Sequence, residues 1–526
     1  MPKLPTDRIL RDRLGRTWRF GSLAEAVSAG AEMAPIALYQ NAANANRVTA
    51  VCEMAERQGL AVGTGLSEAR ARFPGLETLM ADMAADRRLL AAIADWCDRY
   101  TPLVALDPPF GLILDISGCA HLFGGERGLM DDLLMRLFHQ GFLAQAAIAG
   151  SAGAAIALVG VPAKPAIVAS GGERAAVAPL PIKVLRLDPE TSGLLSRLGL
   201  KTVAALLDQP RAGLARRFGK SLVRTLDEAT GLARRPISPR RPVPQLIAER
   251  RLFEPIALEE DVARILFALA SRLKGDLEER GLGARTLELS LFRVDGVVNR
   301  ASVGAARPVR EPTAVARLFR EKLKGLGEEF DAGFGYDLVK LAVYETDRLE
   351  TIQTDLSGEV ETNAAFTHLV DRIGARLGPK TVLAPCRRDS WQPERAAGWR
   401  PVLDLMDGER PVRLPISEDR AETAPRPLRM LARPEPIEAS FAIPDGAPIS
   451  FRWRRALYRV RRAEGPERIA GEWWHEDRPT RDYFRVEDET GRHFWLFREG
   501  MHDADLDPDF VISAGSPAWF MHGLFA

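Results

Sequence analysis

Residues 101–118 read TPLVALDPPFGLILDISG. Two short apolar runs flank the Pro108-Pro109-Phe110-Gly111 turn, and neither proline can donate a ladder hydrogen bond. The pattern predicts a hairpin of two short strands with Asp107 at the end of the first. A carboxylate at a strand end is a candidate metal ligand. Two-metal phosphoryl transfer holds its ions about 3.5–4 Å apart, so it needs further carboxylates close by. The next residue, Pro108, has no side-chain oxygen, and Asp115 lies eight positions on, beyond the turn. The plainer reading is that Asp107 caps the turn and Asp115 ends a strand.

The chain has 526 residues, enough for several domains, and its 46% hydrophobic and 27% charged content suits a water-exposed globular protein. It has no apolar run of membrane-spanning length, and MPKLPTDRILRDRLG lacks the apolar core of a secretory leader. The four cysteines (Cys52, Cys97, Cys119, Cys386) form no CxxC pair, which points to the cytoplasm and away from zinc or disulfides. The seven histidines stand singly. No cofactor or metal site is expected from these residues.

NANRVTAVCEMAERQGL (44–60) is predicted as a helix ending at Gly59, SEARARF (67–73) as another, and DMAADRRLLAAIADWCDR (82–99) as a long one. With the hairpin, a helix at 127–142 and a short strand in LAQAAIAG, the first 170 residues alternate helix and strand. Residues 181–232 are predicted helical in short pieces, and 247–350 return to mixed helix and strand. Candidate linkers are RRPISPRRPVPQ (234–245), QTDLSGEVETN (353–363) and LPISEDRAETAPRPLR (414–429). Seven of nine tryptophans lie after residue 390, so the last third has its own composition.

In this order the pieces resemble the Y-family (translesion) DNA polymerases: QGLAVGTGLSEARARFPGL, then RYTPLVALDPPFGLILDISGCAHLFGG, LGLKTVAALLDQPRAGLARRFGKSL and ARTLELSLF. DISGCAHLFGGE (115–126), SWQPERA (390–396) and the run from Arg468 to Gly500 are similar to the ImuB-type branch, the polymerase-like accessory proteins of bacterial mutagenesis cassettes. The resemblance implies an α+β multidomain fold. Residues 1–75 would be a palm remnant with fingers and 76–175 a palm, followed by a helical thumb (176–236) and an α+β little finger (244–350). A linker (351–363) would lead to a small Trp-rich, β-containing C-terminal region (364–526) that binds partners. It also implies a palm Asp-Glu pair where this chain has Asp107-Pro108, and an aspartate on a first strand. The chain begins six residues before Asp7, and Thr6 or Asp7 reads as a helix N-cap, so that strand is either missing or encoded upstream. The expectation is a polymerase fold without catalysis. The alternative is an active translesion polymerase with altered metal ligands, Asp115 among them.

Between 211 and 241 nine residues are basic and two acidic, on a chain of net charge +1. Arg216, Arg217, Lys220, Arg224, Arg234, Arg235, Arg240 and Arg241 are the candidate DNA-binding residues, contacting phosphate without sequence preference. Family thumbs carry a glycine hairpin where this chain has Arg186-Leu187-Asp188-Pro189, so the DNA expectation rests on the arginines. Gln353-Thr354-Asp355-Leu356 resembles a sliding-clamp-binding peptide, with Ser357 departing from the usual ending. FRWRRALYRVRRAEGPERIAGEWW (451–474) fits single-strand stacking, a protein interface or a small β core, with Phe494 and Trp495 predicted as core. The implied partners are primer-template DNA, the sliding clamp, a RecA-like cassette protein and an error-prone C-family DNA polymerase.

Overall fold

Pro5, in the first turn of helix α1 (Leu4–Leu14), starts the helix where a missing N–H costs nothing. The computed structural model describes residues 1–20, 34–42, 44–161, 166–327, 331–349, 359–378, 380–405, 425–441, 446–472, 474, 479–499 and 518–525. The chain divides into two compact units, Met1–Gly378 and Pro379–Ala526. The expected N-cap at Thr6 or Asp7 is corrected. Lys3 holds that position, and the Thr6 hydroxyl donates back to the Lys3 carbonyl at 3.0 Å.

In the first unit, strands β1 (Ile36–Ala42) and β2 (Ala45–Val51) form a hairpin, with Asn44 at φ +60° in its turn. The helix expected over 44–60 is therefore strand in its first half, over Ala45–Val51. Val48 and Ala50 face the core on alternate residues, and only Glu53–Arg57 (α2) is helical. Leu66–Arg72 forms α3, and β3 (Glu77–Met80) pairs parallel to β1. Helix α4 (Met83–Cys97) begins at Asp82, whose carboxylate accepts the Ala84 and Ala85 N–H groups. The opening stretch folds as expected into β4 (Val104–Asp107) and β5 (Gly111–Leu114). Helix α5 (Glu126–His139) precedes a parallel pair, β6 (Ala147–Ile148) and β7 (Ala166–Ile167), joined through α6 (Ala152–Val159).

Five short helices follow: α7 (Glu173–Val177), α8 (Pro189–Arg197), α9 (Val203–Leu207), α10 (Arg211–Phe218) and α11 (Lys220–Ala229). They share a core with α6 that includes Leu195, Val203, Leu206, Leu222 and Leu226. Strands β8 (Leu246–Ile256), β9 (Leu282–Arg293), β10 (Val298–Val309) and β11 (Tyr336–Arg348) then make an antiparallel sheet of order β10-β9-β11-β8. Helices α12 (Glu259–Glu279) and α13 (Pro312–Leu326) cover one face. Buried residues of α12, from Val262 through Leu269 to Leu277, recur at three- and four-residue spacing against Leu287, Leu289 and Leu291 of β9. Each large apolar side chain so buried contributes about 1.5–3 kcal/mol. Helix α14 (Glu359–Leu377) begins inside the stretch expected to be a linker.

The opposite face of this sheet is polar yet also buried. Phe292 and Leu338 join the core around Trp96 and Tyr100. Around them, Arg300 reaches Asp98 at 2.6 Å, Lys340 donates to the Asp98 carbonyl at 2.5 Å, and Arg99 reaches Asp337 at 2.8 Å. The sheet is thereby docked on the end of α4 by charge pairs.

The second unit holds a hairpin, β12 (Leu383–Arg387) with β13 (Ala397–Pro401), then a short helix α15 (Val402–Leu405). A closed six-stranded barrel follows: β14 (Arg429–Phe441), β15 (Pro448–Trp453), β16 (Ala456–Ile469), β17 (Arg481–Asp488), β18 (His493–Glu499) and β19 (Ala518–Leu524). Pairing of β14 with β19 closes the barrel and removes both edges. Phe451, Phe484, Phe494, Leu496 and Trp519 fill it, and Trp495 is buried against Tyr483 on its outer side. The 390–396 segment clasps that outer side. Glu394 pairs with Arg481 at 2.7 Å, and the Ser390 hydroxyl donates to Glu472 at 2.5 Å.

Candidate functional site

A cavity of about 810 Å³ opens in the first unit, lined by β4, β5, the loop entering α6, and Arg186, Arg234 and Arg235. Asp107 closes β4 in register with Gly111. A Cβ on Gly111 would sit 2.7 Å from the Asp107 carbonyl oxygen and 2.9 Å from its Oδ2, so only glycine fits opposite the aspartate. The Asp107 carboxylate accepts a hydrogen bond from Arg186 Nη1 at 2.5 Å. A guanidinium thus stands at the carboxylate, and Pro108 brings no second one.

The other two acidic candidates are engaged separately. Asp115 Oδ1 accepts the Ser117 N–H at 2.9 Å and stabilises the turn after β5. Asp7, 1% exposed, accepts from Arg19 Nη2 at 2.6 Å and from the Leu143 N–H at 2.9 Å. Burial pushes its carboxyl up to about 6, with Arg19 opposing. Among the described residues no group of three or more His, Cys, Asp or Glu side chains is placed to hold a metal ion. The acidic residues at this cavity do not fit a magnesium pair, which needs several oxygen ligands in near-octahedral order.

The basic candidates fall into two sets. Arg216 and Arg217 on α10, Lys220 at the start of α11, and Arg234 and Arg235 beyond it are exposed, and among the described residues none pairs with a carboxylate. Arg224 on α11 is also exposed but pairs with Glu228 at 2.9 Å. Arg240 and Arg241 are engaged by other elements, though Arg240 stays exposed. Arg240 donates to the Ala91 carbonyl at 2.6 Å and lies 3.2 Å from Asp95, while Arg241 reaches Glu288 at 2.6 Å. The segment expected to be a free linker there is held against α4 and β9. Asp188 caps α8 through the Thr191 N–H at 2.8 Å. Gln353, Thr354, Asp355 and Leu356 lie outside the described residues.

In the sequence Arg186 entered only as part of the 186–189 hairpin, not as a residue of the Asp107 site. It lies 79 positions from Asp107, and nothing local marks it as that aspartate's partner. Its φ of +49°, in the left-handed region, is likewise invisible in sequence.

Residues 22–179 match the model of the impB/mucB/samB family, and residues 243–356 match the model of that family's C-terminal domain. Protein ImuB of Caulobacter vibrioides is 40% identical over 478 residues, covering 89% of this chain and all (100%) of that protein. A DNA polymerase IV of Halorhodospira halophila is 27% identical over 239 residues, covering 45% of this chain and 66% of that protein. Among solved structures, DinB from Sulfolobus solfataricus aligns at 11% identity and a TM-score of 0.35, covering 63% of this chain and 97% of that one. Two family models in the right order, with 40% identity across the whole of a relative, place this chain in the impB/mucB/samB family of Y-family polymerase-like proteins, on its ImuB-type branch.

Proposed function

We propose that this chain is a non-catalytic adaptor in error-prone translesion DNA synthesis and the DNA damage (SOS) response. It binds primer-template DNA and the sliding clamp in the cytoplasm. With a RecA-like cassette protein it recruits an error-prone C-family DNA polymerase. Family membership supports the DNA-damage role. The lack of catalysis rests on one observation: Asp107 is neutralised by Arg186 and followed by Pro108. Electrostatic stabilisation of developing phosphoryl charge is commonly the largest catalytic contribution, and a site without converging carboxylates cannot seat the ions that supply it.

DNA contact falls to Arg216, Arg217, Lys220, Arg234 and Arg235, since the charged sheet face is occupied by Asp98 and Arg99. Each phosphate so neutralised adds about 0.9 to the salt slope on duplex DNA. Gln353 to Leu356 would carry the clamp, bound as an extended peptide in a groove of that partner.

The test combines primer extension in Mg²⁺ or Mn²⁺ with pull-down of clamp, RecA-like partner and C-family polymerase. The proposal expects capture of partners and extension at background. Extension well above background would favour the active-polymerase alternative. Clamp binding unchanged in Gln353→Ala with Leu356→Ala would remove the clamp assignment.

A further inference from the structure

The stretch from Arg452 to Arg462 carries six arginines and no acidic residue. Strands β15 and β16 form a hairpin through it, with Trp453 paired to Ala456 across a two-residue turn, Arg454-Arg455. Arg454 has φ +46° and Arg455 φ +68°. Two-residue turns with both central residues in the left-handed region select Asn-Gly or Asp-Gly, and bulky side chains there are strained. The barrel keeps arginine at both positions.

Arg454 has a local reason: it pairs with Glu435 at 2.5 Å and lies over the Trp453 ring. Arg455 has none. It is exposed and, among the described residues, pairs with no carboxylate, and the same holds for Arg459 and Arg461 on β16. The aromatic residues of the stretch are turned the other way. Tyr458 stacks on Phe451 at 4.9 Å, and Trp453 lies 6.4 Å from the Phe494 ring in the barrel core. Base stacking by these rings is therefore closed off. So is an aromatic-anchored protein interface of the kind that concentrates binding energy. What faces outward is Arg459 and Arg461 on alternate residues of β16, in line with the exposed Leu457, and Arg455 in the turn before them. The planar guanidinium fork suits phosphate oxygens.

We infer that the β15–β16 hairpin of the barrel is a nucleic-acid contact, in which Arg455, Arg459 and Arg461 bind backbone phosphates without reading sequence. The inference stands apart from the arginines at 216–235, which belong to the other unit.

The test uses the full chain, with fluorescence anisotropy of labelled oligo-dT and of a duplex across a range of salt. The variants are Arg455→Ala/Arg459→Ala/Arg461→Ala and, separately, Arg216→Ala/Arg217→Ala/Arg234→Ala/Arg235→Ala. The barrel variant should lower the oligo-dT salt slope by about 2, at about 0.7 per phosphate. Its affinity at low salt should fall at least tenfold, with near-UV circular dichroism unchanged. Replacing all three by lysine should restore most of the slope. Arg455→Gly, which suits the turn, should raise the barrel's melting temperature while weakening binding. The oligo-dT and duplex arms show which form is held. An unchanged slope and affinity in the barrel triple variant would overturn the inference, even if the 216–235 variant loses binding. Loss of binding to a polyglutamate peptide with DNA binding intact would also overturn it.

Discussion

Removing Asp337 should release the sheet from the end of α4. Its carboxylate accepts from Arg99 Nη2 at 2.8 Å and from Arg136 Nη1 at 2.9 Å. Arg99 is 3% exposed, so Asp337→Ala strands a buried guanidinium. Two charges about 4 Å apart at an effective dielectric near 20 interact by about 4 kcal/mol. Breaking one partner of such a buried pair costs about 3–5 kcal/mol. Arg136 recovers part of this, since it also reaches Asp132 at 2.9 Å and is more exposed. The expected loss is about 3 kcal/mol, equivalent to roughly a hundredfold in the opening equilibrium. Amide exchange across residues 98–103, at the docked end of α4, reads that opening, and it should accelerate by about that factor. Arg99→Met with Asp337→Leu removes both charges and should exchange more slowly than Asp337→Ala alone. Exchange within about threefold of the parent in Asp337→Ala, or no recovery in the double variant, would show that these charges do not hold the sheet in place.

Three further outcomes rest on other contacts. Burial pushes the His522 imidazole down to about 4, with Glu394 opposing, whereas burial raises Asp98 in the first unit to about 6. The unfolded chain then binds more protons than folded His522 between pH 6.5 and 4, so that stability is full above pH 6.5 and falls with acidification, by at most about 3 kcal/mol. Folded Asp98 binds more protons than the unfolded chain between about pH 4 and 6, so its contribution rises with acidification. Calorimetry from pH 6.5 to 5 should show the two units shifting in opposite senses, with the barrel's share abolished in His522→Phe. Gly111→Ala forces a Cβ to 2.7 Å from the Asp107 carbonyl oxygen and should destabilise the first unit by about 1–3 kcal/mol in denaturant melts. Arg498→Met removes a 2.9 Å partner from Asp482, both groups 1% exposed; Arg468 remains at 2.7 Å, so the barrel should lose about 2–3 kcal/mol rather than the full cost of an unpaired charge.

Much of the fold was legible in local pattern. The pattern of 82–99 marked α4, and the Pro-Pro turn marked the β4–β5 hairpin. The misreading at 44–60 came from a stretch whose helical end, Glu53–Arg57, is real while its start is a strand. Val48, Thr49 and Val51 are β-branched, and the burial of Val48 and Val51 is decided by β1 across the hairpin rather than by their own spacing.

Residue types alone establish that the position after Asp107 brings no second carboxylate, because proline has no side-chain oxygen. They also establish where arginine concentrates. What each charge does is a matter of packing. Arg240 and Arg241 look like their neighbours in sequence, yet they meet Ala91, Asp95 and Glu288 while Arg234 and Arg235 face the cavity. Arg186 reaches Asp107, and the tryptophans Trp453, Trp495 and Trp519 pack on the barrel while the arginines beside Trp453 turn out. Spacing along the chain sets which residues share a face, but an ion pair between distant residues depends on where two elements pack, and no local pattern encodes that.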